Sequence, residues 1–304
     1  MRSSTTLRSD SLLLLTSLIW GLAFVAQRVG MDYVGPFIFN GIRFALGAAV
    51  IIPFILLARN SAHRAPRTAH RSSVRYLLIG GMILGLAVFA GATFQQYGLV
   101  YTTAGNAGFI TGLYVVFVPI LGLLRKQFPH FTVWLAALLA VVGLYFLSVT
   151  ENFTLQIGDL LVLIGAFFWA AHVLIIGELS PKVNALKLAL IQYLVCAVLS
   201  TCVALAVEHN TLDGILKATI PIVYGGVLSV GIAYTLQVIA QKKAPPAHAA
   251  IILSLEAVFA AIGGWLILGE QLSTKGMIGC GLMMLGMLVA QYSTFRTKLS
   301  FRTE

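Results

Sequence analysis

Charge is scarce in this chain. Of its 304 residues only 10% are charged, against about 25% in an average soluble domain. Hydrophobic residues make up 59%. That balance excludes a soluble domain of ordinary composition. Acidic residues are the rarer sign, 10 against 20 Lys and Arg, and only Glu256 stands well inside an apolar run. Cysteine is rare too. Cys196, Cys202 and Cys280 all fall in apolar runs without metal-ligand spacing, so they read as packing residues. No lysine follows a glycine, which removes the Walker A loop and with it a primary ATP-driven pump on this chain. No low-complexity linker interrupts the sequence.

Long apolar runs are what the chain has in abundance. Ten are predicted as spans: Ser11–Val29, Phe37–Leu57, Val74–Tyr97, Ala104–Leu124, Phe131–Val149, Gly158–Gly177, Leu186–Val207, Thr219–Gln241, Ala247–Leu268 and Thr274–Tyr292. About 20 apolar residues cross a bilayer core of ~30 Å. Backbone groups in lipid must be satisfied internally, so continuous runs of this length predict helices rather than the short alternating segments of a barrel. Within this chain the spans leave no room for a separate soluble domain. Arg2 and Arg8 precede the first span, but its length and the lack of an Ala-x-Ala site argue against a cleaved signal peptide.

The spans repeat. Asp10-Ser-Leu-Leu-Leu-Leu lies over Asp159-Leu-Leu-Val-Leu-Ile, Trp20 over Trp169, and Arg43 over Gln192. With small gaps, Gly91-Ala-Thr-Phe94 lies over Gly231-Ile-Ala-Tyr234, Leu113-Tyr-Val-Val-Phe117 over Leu255-Glu-Ala-Val-Phe259, and Gly143 over Gly286. Residues 1–150 and 151–304 thus read as two five-helix repeats. Five is odd, so the second repeat enters the membrane inverted, the arrangement secondary transporters use to build a midplane site. The expected fold class is an all-α integral membrane protein with ten transmembrane helices and both termini cytoplasmic.

The basic residues set that orientation. With the N-terminus inside, the cytoplasmic face takes sixteen of the 20 Lys and Arg: Arg2, Arg8, five arginines from Arg59 to Arg75, Arg125, Lys126, Lys182, Lys187, Lys242, Lys243, Arg296, Lys298 and Arg302. Arg28, Lys217 and Lys275 fall outside, and only Arg43 lies well inside a span. The net charge of +10 therefore reports topology, not nucleic-acid binding. The stretch Arg59–Arg75 reads as a loop against anionic lipid headgroups.

Polar groups inside the spans are the candidate site. Glu256, near the middle of the ninth span, costs roughly 2.5–3.5 kcal/mol to insert. It reads either as a proton-coupling or substrate-contacting carboxyl, or as a structural acid bonded to a neighbouring helix. Arg43, in the outer third of span two, either binds a substrate carboxylate, pairs with Glu256, or snorkels to the headgroups. Gln192 matches it in the other half. Trp20 and Trp169 sit at mid-span, away from the interfacial belt, as cavity wall or helix contact. His172 lies one turn beyond Trp169, as a donor to a substrate or as a hydrogen-bonded core histidine. Gln95, Tyr114 and Tyr234 complete the candidate substrate-binding set, with Gln96, Tyr97, Asn106, Tyr193 and Gln237 as further polar or aromatic positions. Gly81-x-x-x-Gly85 and Gly105-x-x-Gly108-x-x-x-Gly112 are close-packing faces or sliding surfaces. Pro119 is expected to kink span four or loosen its last turns.

Gly158-Asp-Leu-Leu-Val-Leu-Ile-Gly-Ala-Phe-Phe-Trp169-Ala opens the second half, and Leu253-Ser-Leu-Glu256-Ala-Val-Phe-Ala-Ala-Ile-Gly-Gly-Trp-Leu-Ile-Leu-Gly-Glu270 forms span nine. These segments resemble the two strongest patterns of the drug/metabolite transporter (DMT) superfamily, in its EamA-like branch. The resemblance covers nearly the whole chain. It implies a ten-helix inverted-repeat carrier of the bacterial inner membrane, often an exporter of amino acids, related metabolites or drugs. Glu256 resembles the glutamate of the family's Leu-Glu-Pro-Val-Phe, with Ala257 in place of the proline that would break the helix there. Glu270 resembles the glutamate of its Leu-Gly-Glu ending, a helix-end residue rather than a substrate ligand. Trp20 and Trp169 match its paired inner aromatics.

The expected function is secondary transport of a small organic solute by alternating access, outward on the strength of the resemblance. Protons are the candidate coupling ion. An importer or facilitator is the alternative direction. An enzyme is not expected, because no paired aspartate motif, His-x-x-x-His or Gly-x-Ser-x-Gly occurs. A channel lacks its Thr-Val-Gly-Tyr-Gly filter. No cofactor or metal is expected, and nothing in the sequence sets the oligomeric state.

Overall fold

A computed structural model describes residues 4–61, 71–123, 131–148, 156–209, 211–271 and 273–300. Arg2, Arg64, Arg67, Arg125, Lys126 and Arg302, used above for orientation, lie outside the described residues, as does most of the Arg59–Arg75 stretch. Among the described residues the chain is helical throughout, without a strand. The helices are α1 Ser4–Gly30, α2 Pro36–Ser61, α3 Arg71–Tyr101, α4 Ala104–Gly112, α5 Tyr114–Gly122, α6 Phe131–Ser148, α7 Ile157–Leu179 and α8 Ala185–Val207. There follow α9 Leu212–Lys217, α10 Thr219–Val223, a π-helical segment Tyr224–Tyr234, α11 Thr235–Ala240, α12 Pro246–Leu253, α13 Glu256–Leu268 and α14 Thr274–Ser300.

Among the described residues, eight stretches are long and apolar enough to cross a membrane. They correspond to sequence spans one to four and six to nine. The fifth and tenth predicted spans are represented by shorter apolar helices, Trp134–Leu147 and Thr274–Val289. Large apolar side chains cover the outside, and a set of polar ones is buried within the apolar core. Leu56, Leu86, Val141, Leu205 and Trp265 face outward, whereas Gln27, Asn40, Arg43, Gln96, His172, Gln192 and Glu256 are buried. Surrounding lipid, not a hydrophobic core alone, makes that distribution stable.

The helix packing comes in matched pairs. α2 packs on α8, α6 on α14, and α4 on α13. The α3–α7 contact has its counterpart in α1 against the π segment, and α3–α8 in α2 against the π segment. α1 packs on α12 and α13 as α7 packs on α4 and α5. Small residues bring these pairs close. A Cβ on Gly143 would meet Gly279 O at 2.7 Å, and one on Gly286 would meet Ala136 O at 2.8 Å. Gly81 and Gly85 seat against Ile191 and Val195 of α8, so that face is a packing surface.

Two long spans are broken midway. α4 gives way to α5 at Leu113, and α12 to α13 at Ser254–Leu255. Pro119 lies inside α5, beyond the break, so the interruption falls before the proline rather than at it. In the second span the break occurs with Ala257 where the family pattern has proline. Around it Ala257 N donates to Ser254 O at 3.1 Å and Leu255 N to Ile252 O at 3.3 Å, the shorter bonds of a tightened turn.

Two carboxylates clamp helix starts at one end of the bundle. Glu208, closing α8, accepts from Phe37 N and Ile38 N at 2.8 and 2.9 Å. Glu270 accepts from Ala104 N and Gly105 N at 2.7 and 2.9 Å. Each uses the free N–H groups and positive end of a helix. Gly269 makes the second clamp possible. Its left-handed φ of 67° ends α13 and turns Glu270 back toward α4.

Candidate functional site

The broken spans, the π segment and α1, α2, α3 and α7 surround a cavity. Of the nine residues singled out above, Trp20, Arg43, Gln95, Tyr114, Trp169, His172, Tyr234 and Glu256 line it. Gln192 does not. It stands behind His172, whose Nε2 it meets through Oε1 at 2.9 Å. Of the further polar positions only Gln237 reaches the cavity; Gln96, Tyr97, Asn106 and Tyr193 do not line it.

Aromatic rings make one wall. Tyr234 is its hub, with ring centroids 4.5 Å from Trp20, 5.9 Å from Trp169, 5.9 Å from His172 and 6.0 Å from Phe44. The matched tryptophans are anchored by different acceptors. Trp20 Nε1 donates to Ser229 O at 3.2 Å, a carbonyl of the π segment. A π turn widens the helix and shifts its backbone bonds to i→i+5, and this carbonyl takes a side-chain donor. Trp169 Nε1 donates to Gln95 Oε1 at 2.8 Å. Gln95 Nε2 continues to Gln27 Oε1 at 3.0 Å, and Gln27 Nε2 to Ala23 O at 3.0 Å. One relay thus ties α7, α3 and α1 together.

The charged groups occupy other parts of the wall. Glu256 opens α13 and Tyr114 opens α5, each directly after its break, and the two side chains stand beside one another. Arg43 is 2% exposed. Its Nε donates to Asn40 Oδ1 at 2.9 Å, and its guanidinium carbon lies 5.6 and 5.0 Å from the Phe39 and Phe44 ring centres. Among the described residues no ion pair joins Arg43 to Glu256, the pairing that was one reading of the sequence. Asn40 Nδ2 in turn donates to Ala92 O at 3.2 Å, so Arg43 is held from α3 through its neighbour. Among the described residues no group of His, Cys, Asp and Glu is placed to hold a metal.

Sequence reasoning missed Gln27, Thr111 and Ser229. Ser229 anchors Trp20 through its backbone, for which no side-chain signal exists.

Helices of membrane-crossing length around a polar, aromatic-walled cavity define a multi-pass integral membrane protein with an internal site. The EamA-like transporter family model matches residues 7–149 and 156–291. An uncharacterized transporter of Archaeoglobus fulgidus is 33% identical over 93% of this chain and 85% of its own length. The uncharacterized transporter YoaV of Bacillus subtilis is 22% identical over 93% and 96%. A protein of known crystal structure superposes with a TM-score of 0.68 at 20% identity, over 98% of this chain and 99% of that one, which shows a shared fold. The chain belongs to the EamA-like transporter family and is a membrane transporter.

Proposed function

We propose that the chain is a secondary carrier that moves a small organic solute across the bacterial inner membrane by alternating access, outward. The observation that carries this reading is a central cavity reached by residues of both halves. Trp20 and Arg43 come from the first half, Trp169, Tyr234 and Glu256 from the second. A binding site shared between two related halves can be exposed to either side by rocking one against the other.

The matched helix pairs support two inverted five-helix repeats, residues 1–150 and 151–304, with ten crossings in all. The family match in two stretches favours the same division. The bias of Lys and Arg supports both termini in the cytoplasm, with the basic loops against anionic headgroups. Trp20, Gln95, Tyr114, Trp169, His172 and Tyr234 form the substrate wall in this reading, with Gln192 supporting His172. Glu256 is the coupling carboxyl. It stands at the start of a half-helix inside the bilayer, where only a cavity-facing group is easily accommodated.

Reconstitution tests the reading. Saturable counterflow of a solute in proteoliposomes is the carrier outcome; ohmic current identifies a channel, and turnover without movement an enzyme. A resistance screen of amino acids, analogues and drugs in expressing cells supplies the solute. Glu256→Gln is expected to abolish uptake driven by a pH gradient. Unchanged driven uptake would remove Glu256 from the coupling role.

A further inference from the structure

We infer that the cavity takes a monoanionic solute, a carboxylate on a flat apolar or aromatic body, and that Arg43 is the group that reads the carboxylate. This rests on the cavity being the carrier's binding site.

Arginine remains protonated in proteins, so Arg43 is a buried cation. A charge held inside a protein costs several kcal/mol unless a counter-charge meets it. Among the described residues no carboxylate pairs with Arg43, although Glu256 lines the same cavity. The guanidinium is nonetheless fixed. Asn40 occupies its Nε, the Phe39 and Phe44 rings stand against it, and its stem passes over Gly225, where an added Cβ would come within 3.3 Å of Arg43 Cδ. What remains is Nη2, buried and without a hydrogen-bond partner in the protein. A rigidly held cation that lines a cavity and keeps one unused donor is a preorganised anion site.

The rest of the wall narrows the ligand. Thr111 lines the same cavity, and its Oγ1 is also buried and unpartnered. One cation matches one negative charge. A phosphate dianion would ask for a second cation, and Arg43 is the one Lys or Arg on the lining. The rings of Trp20, Tyr234 and Trp169 offer faces to an apolar or aromatic body.

Matched pairs of compounds separate charge from shape. The purified full chain in detergent is titrated with phenylacetate and phenylacetamide, and with indole-3-acetate and indole-3-acetamide. The readouts are thermal shift and quenching of tryptophan fluorescence, since Trp20 and Trp169 border the site. Acids are expected to bind at least about tenfold more tightly than their amides. Arg43→Gln should erase that preference, and Arg43→Lys should keep part of it. Amides that bind as well as acids overturn the proposal, as does the absence of any response to the acids. Acid preference surviving in Arg43→Gln also overturns it. If Arg43→Gln does not fold, the comparison on the unaltered chain still decides. Saturable counterflow of an amide or amine alone would leave the carrier reading standing and remove this one.

Discussion

Leu113 and Leu255 hold nearly the same backbone conformation, φ −63°, ψ −13° and φ −62°, ψ −15°. They are matched positions of the two halves, and each ends one half-helix and starts another. The chain thereby delivers Tyr114 and Glu256 to the cavity from equivalent breaks. Tightened turns make both interruptions, and neither requires a proline at the break.

That account predicts where proline is tolerated. Ala257 lies in the first turn of α13, so Ala257→Pro should cost only about 1 kcal/mol, the one bond to Ser254 O. Ile262 is exposed in the middle of α13, and Ile262→Pro should cost about 3 kcal/mol or more. Thermal unfolding in detergent measures both. Equal losses would mean that α12 and α13 behave as one helix.

Glu270 carries two buried donors. Glu270→Ala leaves Ala104 N and Gly105 N without their acceptor and should cost about 2 kcal/mol. Glu270→Gln keeps one acceptor oxygen and should fall between. The same unfolding assay orders the three proteins. A glutamine variant weaker than the alanine variant would show that space beside Gly105 and Gly264, not hydrogen bonding, governs the position.

The Trp169–Gln95 bond should appear as a coupling energy. Trp169→Phe and Gln95→Leu each strand one buried partner, whereas the double variant strands neither of that pair. A double-mutant cycle on stability is expected to give about 1–2 kcal/mol of interaction. Strict additivity would show that the relay through Gln27 holds no tension between α7 and α3.

Matched aspartates lie at opposite ends of the bundle. Asp10 meets His248 Nε2 at 2.7 Å, joining α1 to α12, and Asp159 accepts from Thr102 Oγ1, joining α7 to the start of α4. Asp10→Asn should loosen the Asp10 end alone. With Ser229→Cys as a cavity reporter on a background lacking the three cysteines, an impermeant maleimide should label about tenfold faster from that side, the effect of ~1.4 kcal/mol of lost closing energy. Asp159→Asn should accelerate labelling from the other side. Unchanged rates in both variants would mean that neither contact holds an end closed.

Much of the architecture was legible before any coordinates. Apolar run length predicts the helices, because a span needs about 20 residues whatever its neighbours are. Depth within a run picks out Glu256, Arg43, Trp20 and Trp169, since a polar or bulky group at mid-span is costly unless a cavity receives it. The π segment was not legible. Tyr224–Tyr234 reads as an ordinary apolar helix, and only packing against α1 and α2 shows its register.

Composition and run length set the class of molecule and mark the residues too polar to face lipid. These follow from local composition and period, which need no knowledge of distant contacts. Which of those residues meet was set by the packing of the helices. It separated Gln192 from the cavity and brought in Gln27, Thr111 and Ser229. It set Arg43 against Asn40 and two phenylalanines instead of Glu256. Such choices depend on where helices far apart in the chain cross, and on which donor is left over once every nearer acceptor has been used.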